Sequence, residues 1–194
     1  SWNRNTLLHY AQTTQSESDL RKLDRAINSI TETQLLCGYH YNSLRELLEE
    51  HMRNHPTEAS LFMSRFSIDP EVNNRDFEFN LSCRANIIAI VRTLHSLSDI
   101  VGCVIYFGLG LNLNNITKLK ETKVSMYNVK EKLKSLPKYT ELLSLLNDLT
   151  NNPDFKHISR LSNQTKHSAI VKANSHFNLM LKGIERYQFI FEKI

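Results

Sequence analysis

Two groups of polar and ionisable residues interrupt apolar helical patterns in this chain. Each group has three members at the spacing i, i+3, i+7, and the groups are Arg92, His95 and Asp99, then Arg160, Asn163 and His167. This spacing places the side chains of one group on one face of a helix. A buried polar group without a partner costs roughly 1–3 kcal/mol. Two matched polar stripes in a small helical protein therefore predict a shared site.

The residue types of the second stripe suit proton transfer next to an anion. His167 carries an imidazole, a group that gains and loses protons near neutral pH. Arg160 and the neighbouring Lys166 supply cations that bind phosphate or carboxylate groups. The amide of Asn163 can position such an anion, or the imidazole, by hydrogen bonding. We therefore take these four residues as the candidate catalytic group.

The first stripe has two interpretations. In the functional one, Arg92, His95 and Asp99 support the candidate catalytic group, with His95 and Asp99 orienting the His167 side chain. In the structural one, His95 and Asp99 form a satisfied pair in the core. The structural interpretation also extends to the second stripe, where Arg160 and Lys166 would bury only their aliphatic stems. The sequence leaves both interpretations open.

Histidines and cysteines are too scattered to predict a metal centre. His51 and His55 are spaced i, i+4 and could chelate a metal from one helix face, but no third ligand is evident. Cys37, Cys83 and Cys103 lie far apart in apolar contexts and form no CxxC pair. They are typical of small buried side chains in a reducing compartment. We therefore expect no metal and no cofactor.

Charge is distributed unevenly along the chain. Residues 1–80 carry 8 Lys or Arg against 12 Asp or Glu, whereas residues 118–138 carry seven lysines against two glutamates. A basic segment suits a phosphate-bearing or acidic partner, although a solvated lysine-rich helix face gives the same pattern. The most apolar run, 100–113, is too short for a membrane span and predicts a buried helix end. The chain shows no signal peptide and begins at Ser1 rather than Met, as a fragment or a trimmed protein would.

Hydrophobic periodicity predicts a mainly α protein, a bundle of about five helices with a short C-terminal β-hairpin. The predicted helices run from Ser16 or Ser18 to 54, then 80–108, 114–136, 137–149 and 153–172. Alternation of Phe177, Leu179 and Leu181, and then of Tyr187, Phe189 and Phe191, predicts the hairpin. We expect a helical domain over 1–175, with an irregular insertion at 56–79, and a hairpin appendage over 176–194.

The segment RLSNQTKH at 160–167 resembles the Arg-x(4–6)-His motif of HEPN domains (higher eukaryote and prokaryote nucleotide-binding). The surrounding sequence is similar to a group of uncharacterised bacterial HEPN-like proteins with an Asn-x-x-Lys-His motif. The similar stretches are LHSLSDIVGCVIYFGLGLN upstream and NQTKHSAIV downstream. The resemblance covers about 80–171. It implies a dimerising helical bundle whose composite site, in active members, cleaves RNA without a metal. On that basis His167 would move the proton, Arg160 and Lys166 would stabilise charge on phosphorus, and Asn163 would position the phosphate.

One departure from the family pattern bears on activity. The family commonly has a polar residue after the arginine, where this chain has Leu161. If Arg160 is incidental to the motif, a catalytically inert interaction module that binds a protein or nucleotide becomes the alternative. We expect a cytoplasmic bacterial homodimer that binds and cleaves RNA in a defence or toxin–antitoxin setting. A protein partner is the other expected ligand, and no membrane association is expected.

Overall fold

The protein is mainly α-helical. A computed structural model describes residues 3–167, 173–178 and 180–191. Its seven described helices are α1 (Arg4–Gln12), α2 (Glu17–Asn54), α3 (Glu58–Arg65), α4 (Pro70–Gly108), α5 (Met126–Leu133), α6 (Thr140–Asn151) and α7 (Pro153–His167). Strands β1 (Ala173–Phe177) and β2 (Tyr187–Phe191) pair antiparallel, with Phe177 opposite Tyr187. The predicted mainly α fold with a short C-terminal hairpin is confirmed.

The described residues form two compact units. The first unit comprises residues of Ser1–Leu35 and Thr93–Arg160, and the second comprises residues of Leu36–Arg92 and Leu161–Ile194. Helices α2, α4 and α7 each contribute residues to both units. The candidate residues of the sequence are therefore distributed over two separately packed cores.

The first unit is built around side chains that are almost completely removed from water. Leu23 of α2, Val129 and Leu133 of α5, and Tyr106 of α4 are all at most 2% exposed. The hydroxyl of Tyr106 accepts a hydrogen bond from the backbone N–H of Leu119 at 2.8 Å. That bond satisfies a polar atom which would otherwise oppose burial of the ring.

The amino-terminal end of α5 lies directly against α4 in the first unit. A Cβ atom placed on Gly102 would lie 2.8 Å from the backbone nitrogen of Met126 and 2.9 Å from its Cα. Only a glycine permits this approach, because real Cβ atoms essentially never come within 3.0 Å of such atoms. Met126 is itself buried, so the close approach lies inside the core.

The second unit buries apolar side chains from several elements, including Leu48, Leu61, Ile87 and Leu161. Cys83 of α4 is fully buried among them, and burial raises the pKa of its thiol to about 12. All three cysteines are free thiols. Cys83 is buried as expected, whereas Cys37 and Cys103 are only half-buried.

The helix boundaries of α2 are those predicted from its caps. The Ser16 hydroxyl accepts from the N–H of Asp19 at 3.2 Å, which satisfies a donor in the first turn. The helix ends at Asn54, before Pro56, because the residue ahead of a proline is restricted to extended conformations. The end of α4 at Gly108 also agrees with the prediction.

The prediction of an irregular segment at 56–79 is wrong. Most of it is helical, because Thr57 and Ser60 form a reciprocal capping box that starts α3. Pro70 then occupies the first turn of α4, where its missing N–H costs nothing, and the Asp69 carboxylate accepts from the N–H of Glu71 at 2.9 Å. Helix α4 therefore begins ten residues earlier than predicted.

Other predicted boundaries also change. Helix α1 was not predicted, and the predicted helix over 114–136 is reduced to α5, which Ser125 caps through the N–H of Asn128. The first hairpin strand lies at 173–177 rather than over Phe177 to Leu181, because a long connection with Gly183 at φ +58° separates the strands. The predicted continuation of the fifth helix over 168–172, and Leu179, lie outside the described residues.

Helix α4 contains the most apolar stretch of the chain. An 18-residue window within it has a mean hydropathy of 1.6, with 28% of the window buried by the rest of the protein. By length and composition alone it could cross a membrane, although core helices of soluble proteins meet the same criterion. The expectation of a buried helix without membrane association stays a prediction.

Candidate functional site

The first predicted stripe lies on α4, and its members occupy different environments. Arg92 is exposed, while His95 and Asp99 are half-buried. The Asp99 carboxylate accepts a hydrogen bond from the backbone N–H of Met126 at 3.1 Å. That N–H is one of the donors that the first turn of α5 leaves without a helical partner. Asp99 therefore has a clear structural role in holding the start of α5 against α4.

Replacing Asp99 with alanine is expected to lower the free energy of unfolding by about 1 kcal/mol, the usual cost of losing a side-chain cap. Asp99→Asn keeps a carbonyl oxygen for the Met126 N–H and should recover most of the loss. Urea unfolding of the wild type and both variants measures this. Equal stability of all three proteins would show that the hydrogen bond does not stabilise the fold.

The second predicted stripe lies on α7. Arg160 and Asn163 are both exposed and lie one turn apart, whereas the intervening Leu161 and Ser162 are buried. The structure places Lys166 and His167 as the last two residues of α7, and their side chains lie outside what it describes. Helix α7 thus has one exposed polar face and one buried face. The site that the two stripes were expected to share stays a prediction.

Two polar atoms on α7 are buried without a hydrogen-bond partner in the described part of the chain. They are the hydroxyl oxygen of Ser162 and the Oε1 atom of Gln164. Such atoms are uncommon in folded proteins. They lie within the segment at 160–167 that carries the family resemblance.

Several lysines of the basic segment at 118–138 form hydrogen bonds or ion pairs within the first unit. Lys132 donates to the carbonyl oxygen of Ile116 at 3.0 Å, and Lys134 pairs with Glu131 at 2.7 Å. Lys130 donates to the Thr150 hydroxyl. Three lysines remain exposed near the start of the segment: Lys118, Lys120 and Lys123. Their charges are available to an anionic partner.

The second unit brings together three potential metal ligands. They are His51 in the last turn of α2, His55 just beyond that helix, and Asp76 on α4. One ligating atom from each lies within 4.8 Å of the others. The sequence indicated the two histidines but showed no third ligand, and the structure adds Asp76. Asp76 was missed because it lies in the segment predicted to be irregular.

His51 is held by aromatic neighbours. Its ring stacks on the Phe79 ring, with centroids 3.9 Å apart and an angle of 6° between the planes. The Tyr187 ring packs against it in a T-shaped arrangement, with centroids 5.7 Å apart. Burial lowers the pKa of His51 to about 4, and the adjacent His55 adds to the shift. Burial likewise raises the pKa of Tyr187 to about 12. His51 is therefore neutral at pH 7.

A cavity of about 850 Å³ adjoins this cluster within the second unit. His51, His55 and Asp76 all line it, together with polar side chains that include Ser64 and Arg75. The Ser64 hydroxyl donates to the Asp76 carboxylate at 2.7 Å. The cluster thus opens onto a space of the size that small molecules occupy in proteins.

The low pKa of His51 predicts a loss of stability in mild acid. In the unfolded chain this imidazole titrates near 6.5, and in the folded protein near 4. Between these values the unfolded state binds the additional proton, so the free energy of unfolding falls as the pH is lowered from about 6.5 towards 4.

NMR titration of the histidine rings should find one imidazole that stays neutral at pH 5. Urea unfolding at pH 7 and pH 5 should show a smaller drop in stability for His51→Gln than for the wild type. A His51 ring that titrates near 6.5 in the folded protein would contradict the prediction.

Comparison of the chain with protein-family models, curated proteins and solved structures gives no match. The resemblance to HEPN domains accordingly stays an expectation from the sequence. Two features of the described residues are suited to binding a ligand: the exposed face of α7 and the histidine–aspartate cluster of the second unit.

Proposed function

We propose that this protein binds RNA through the exposed face of α7 and cleaves it without a metal. The observation that carries the proposal is the exposure of Arg160 and Asn163, one turn apart on α7 and directly before Lys166 and His167. The resemblance of this segment to the HEPN motif supplies the substrate class.

The proposed reaction uses the substrate's own 2′-hydroxyl. This hydroxyl loses its proton and attacks the adjacent phosphorus, the bond to the 5′-oxygen breaks, and that oxygen gains a proton. The products are a 2′,3′-cyclic phosphate and a free 5′-hydroxyl. His167 moves the proton, because imidazole exchanges protons near neutral pH. Arg160 and Lys166 stabilise the negative charge that develops on the phosphate, and Asn163 positions it.

A second copy of the chain would complete the site in this proposal. The resemblance implies a homodimer in which two copies of the 160–167 motif meet, and a role in bacterial defence or a toxin–antitoxin pair.

The binding part of the proposal is tested by replacing one cation of α7. Arg160→Ala is expected to weaken binding of single-stranded RNA and to reduce the slope of log Kd against log salt by about one. Lys156→Ala is the matched control, because Lys156 is an exposed cation one turn earlier on the same helix. An equal loss of RNA affinity in the two variants would show that the 160–167 motif has no special role in binding.

The alternative function, a catalytically inert interaction module, is supported by a different surface. Helix α3 and the turn after it expose large apolar side chains: Phe62, Met63, Phe66 and Ile68. Contiguous exposed apolar groups are typical of protein-binding surfaces. This alternative predicts that folded wild-type protein leaves total RNA intact in EDTA, whereas the first proposal predicts fragments that end in cyclic phosphates.

A further inference from the structure

We propose that His51, His55 and Asp76 form a binding site for a Zn²⁺ ion. The inference is independent of the proposed action on RNA, because it concerns the second unit and the proposed cleavage needs no metal. Two imidazole nitrogens and one carboxylate oxygen are a donor set that zinc accepts, whereas Mg²⁺ and Ca²⁺ prefer oxygen ligands alone.

The backbone places the three donors where one ion can reach them. His51 lies in the last turn of α2 and His55 follows directly after the helix, with its N–H bonded to the carbonyl oxygen of His51 at 3.1 Å. Asp76 reaches the same point from α4, and the ligating atoms are within 4.8 Å of one another. In a tetrahedral zinc site such atoms lie about 3.4 Å apart, given metal–ligand bonds of about 2.0–2.2 Å. Side-chain rotation of His55, beyond the end of the helix, can close the remaining distance.

Neighbouring groups hold the ligands in the way that metal sites require. The Ser64 hydroxyl donates to one oxygen of the Asp76 carboxylate at 2.7 Å, and a carboxylate carries a second oxygen that can bind a cation. Stacking on Phe79 fixes the plane of the His51 ring. Partners that orient the ligands in this manner are a regular feature of protein metal sites.

Three protein ligands leave one position of a four-coordinate zinc open. Closed structural zinc sites have four protein ligands, whereas sites that bind water or a substrate have three. The cavity of about 850 Å³ is lined by all three ligands, and by polar side chains that include Asn54 and Arg75. The site therefore suits a small polar molecule that binds the ion through an oxygen or nitrogen atom.

Isothermal titration of the chelator-treated full chain with zinc chloride tests the proposal without RNA. One ion per chain is expected, together with a rise in melting temperature on adding zinc, because an ion that binds only the folded state stabilises it. His55→Ala and Asp76→Asn should each weaken zinc binding at least tenfold. His9→Ala is the matched control, since it removes an exposed histidine of the first unit and should leave the affinity unchanged.

Circular dichroism of each variant keeps the result interpretable. If one variant is unfolded, the other decides, because His55 lies outside the helices and Asp76→Asn retains an oxygen that can accept from Ser64. Absence of zinc binding, or equal affinity in His55→Ala, Asp76→Asn and His9→Ala, would overturn the proposal. Either outcome leaves cleavage of RNA in EDTA to be decided separately.

Discussion

Replacing His167 with alanine is expected to lower the rate of RNA cleavage at least 100-fold. The expected size follows from the removal of a general acid–base group, which typically contributes 10²- to 10⁴-fold to a rate. The measurement uses a defined single-stranded RNA in EDTA and reads the fragments and their 3′ ends. Wild-type protein should leave cyclic phosphates, and the variant should leave the RNA intact over the same time.

A matched variant on the same helix separates chemistry from folding. His157→Ala removes another histidine of α7 and should retain cleavage, because position 157 lies outside the 160–167 motif. Added imidazole should restore part of the activity of His167→Ala if the missing group only transfers a proton. Full cleavage by His167→Ala would show that His167 is not the proton-transfer group. A folded wild type that does not cleave RNA would favour the interaction module.

Replacing Gly102 with alanine is expected to destabilise the protein by about 2 kcal/mol. An alanine in an open helical position would instead stabilise by up to about 1 kcal/mol relative to glycine. At position 102 the added methyl group would meet the nitrogen and Cα of Met126 at 2.8 and 2.9 Å. These are backbone atoms of a buried residue, so they cannot rotate away, and overpacking of a core costs about 1–3 kcal/mol or more.

Gly38→Ala provides the control for this prediction. Gly38 lies in α2, and a Cβ atom there would meet nothing within 4 Å. The same chemical change should therefore raise the urea midpoint at position 38 and lower it at position 102. Shifts in the same direction at both positions would show that helix propensity, rather than the close approach of α5, controls the effect.

The bounds of a helix could be predicted from the sequence where residues next to its ends cap or terminate it. Ser16 and Pro56 bracket α2, and both are visible in the sequence, so its bounds were predictable. The start of α4 is ambiguous in the sequence, because the pair Asp69-Pro70 favours a turn. The same pair also begins a helix when proline occupies its first turn and aspartate caps it.

For the candidate sites, the sequence predicted the residues on one helix but not their partners on other elements. Helical spacing identified the stripes on α4 and α7, since spacing is a property of one element. The partner of Asp99 is a backbone N–H 27 residues away, and the third member of the histidine cluster lies on another helix. Pairings of this kind depend on how elements pack, which periodicity within one segment does not encode.

The native thiols give the chain its own reporters of local opening. Cys103 packs against the core of the first unit, and Cys83 is buried in the second. A thiol reagent attacks the thiolate, and burial raises the pKa of both thiols, so both should react faster when their surroundings open. The modification rate of the fully buried Cys83 therefore measures how often the second unit opens under native conditions, without an introduced cysteine.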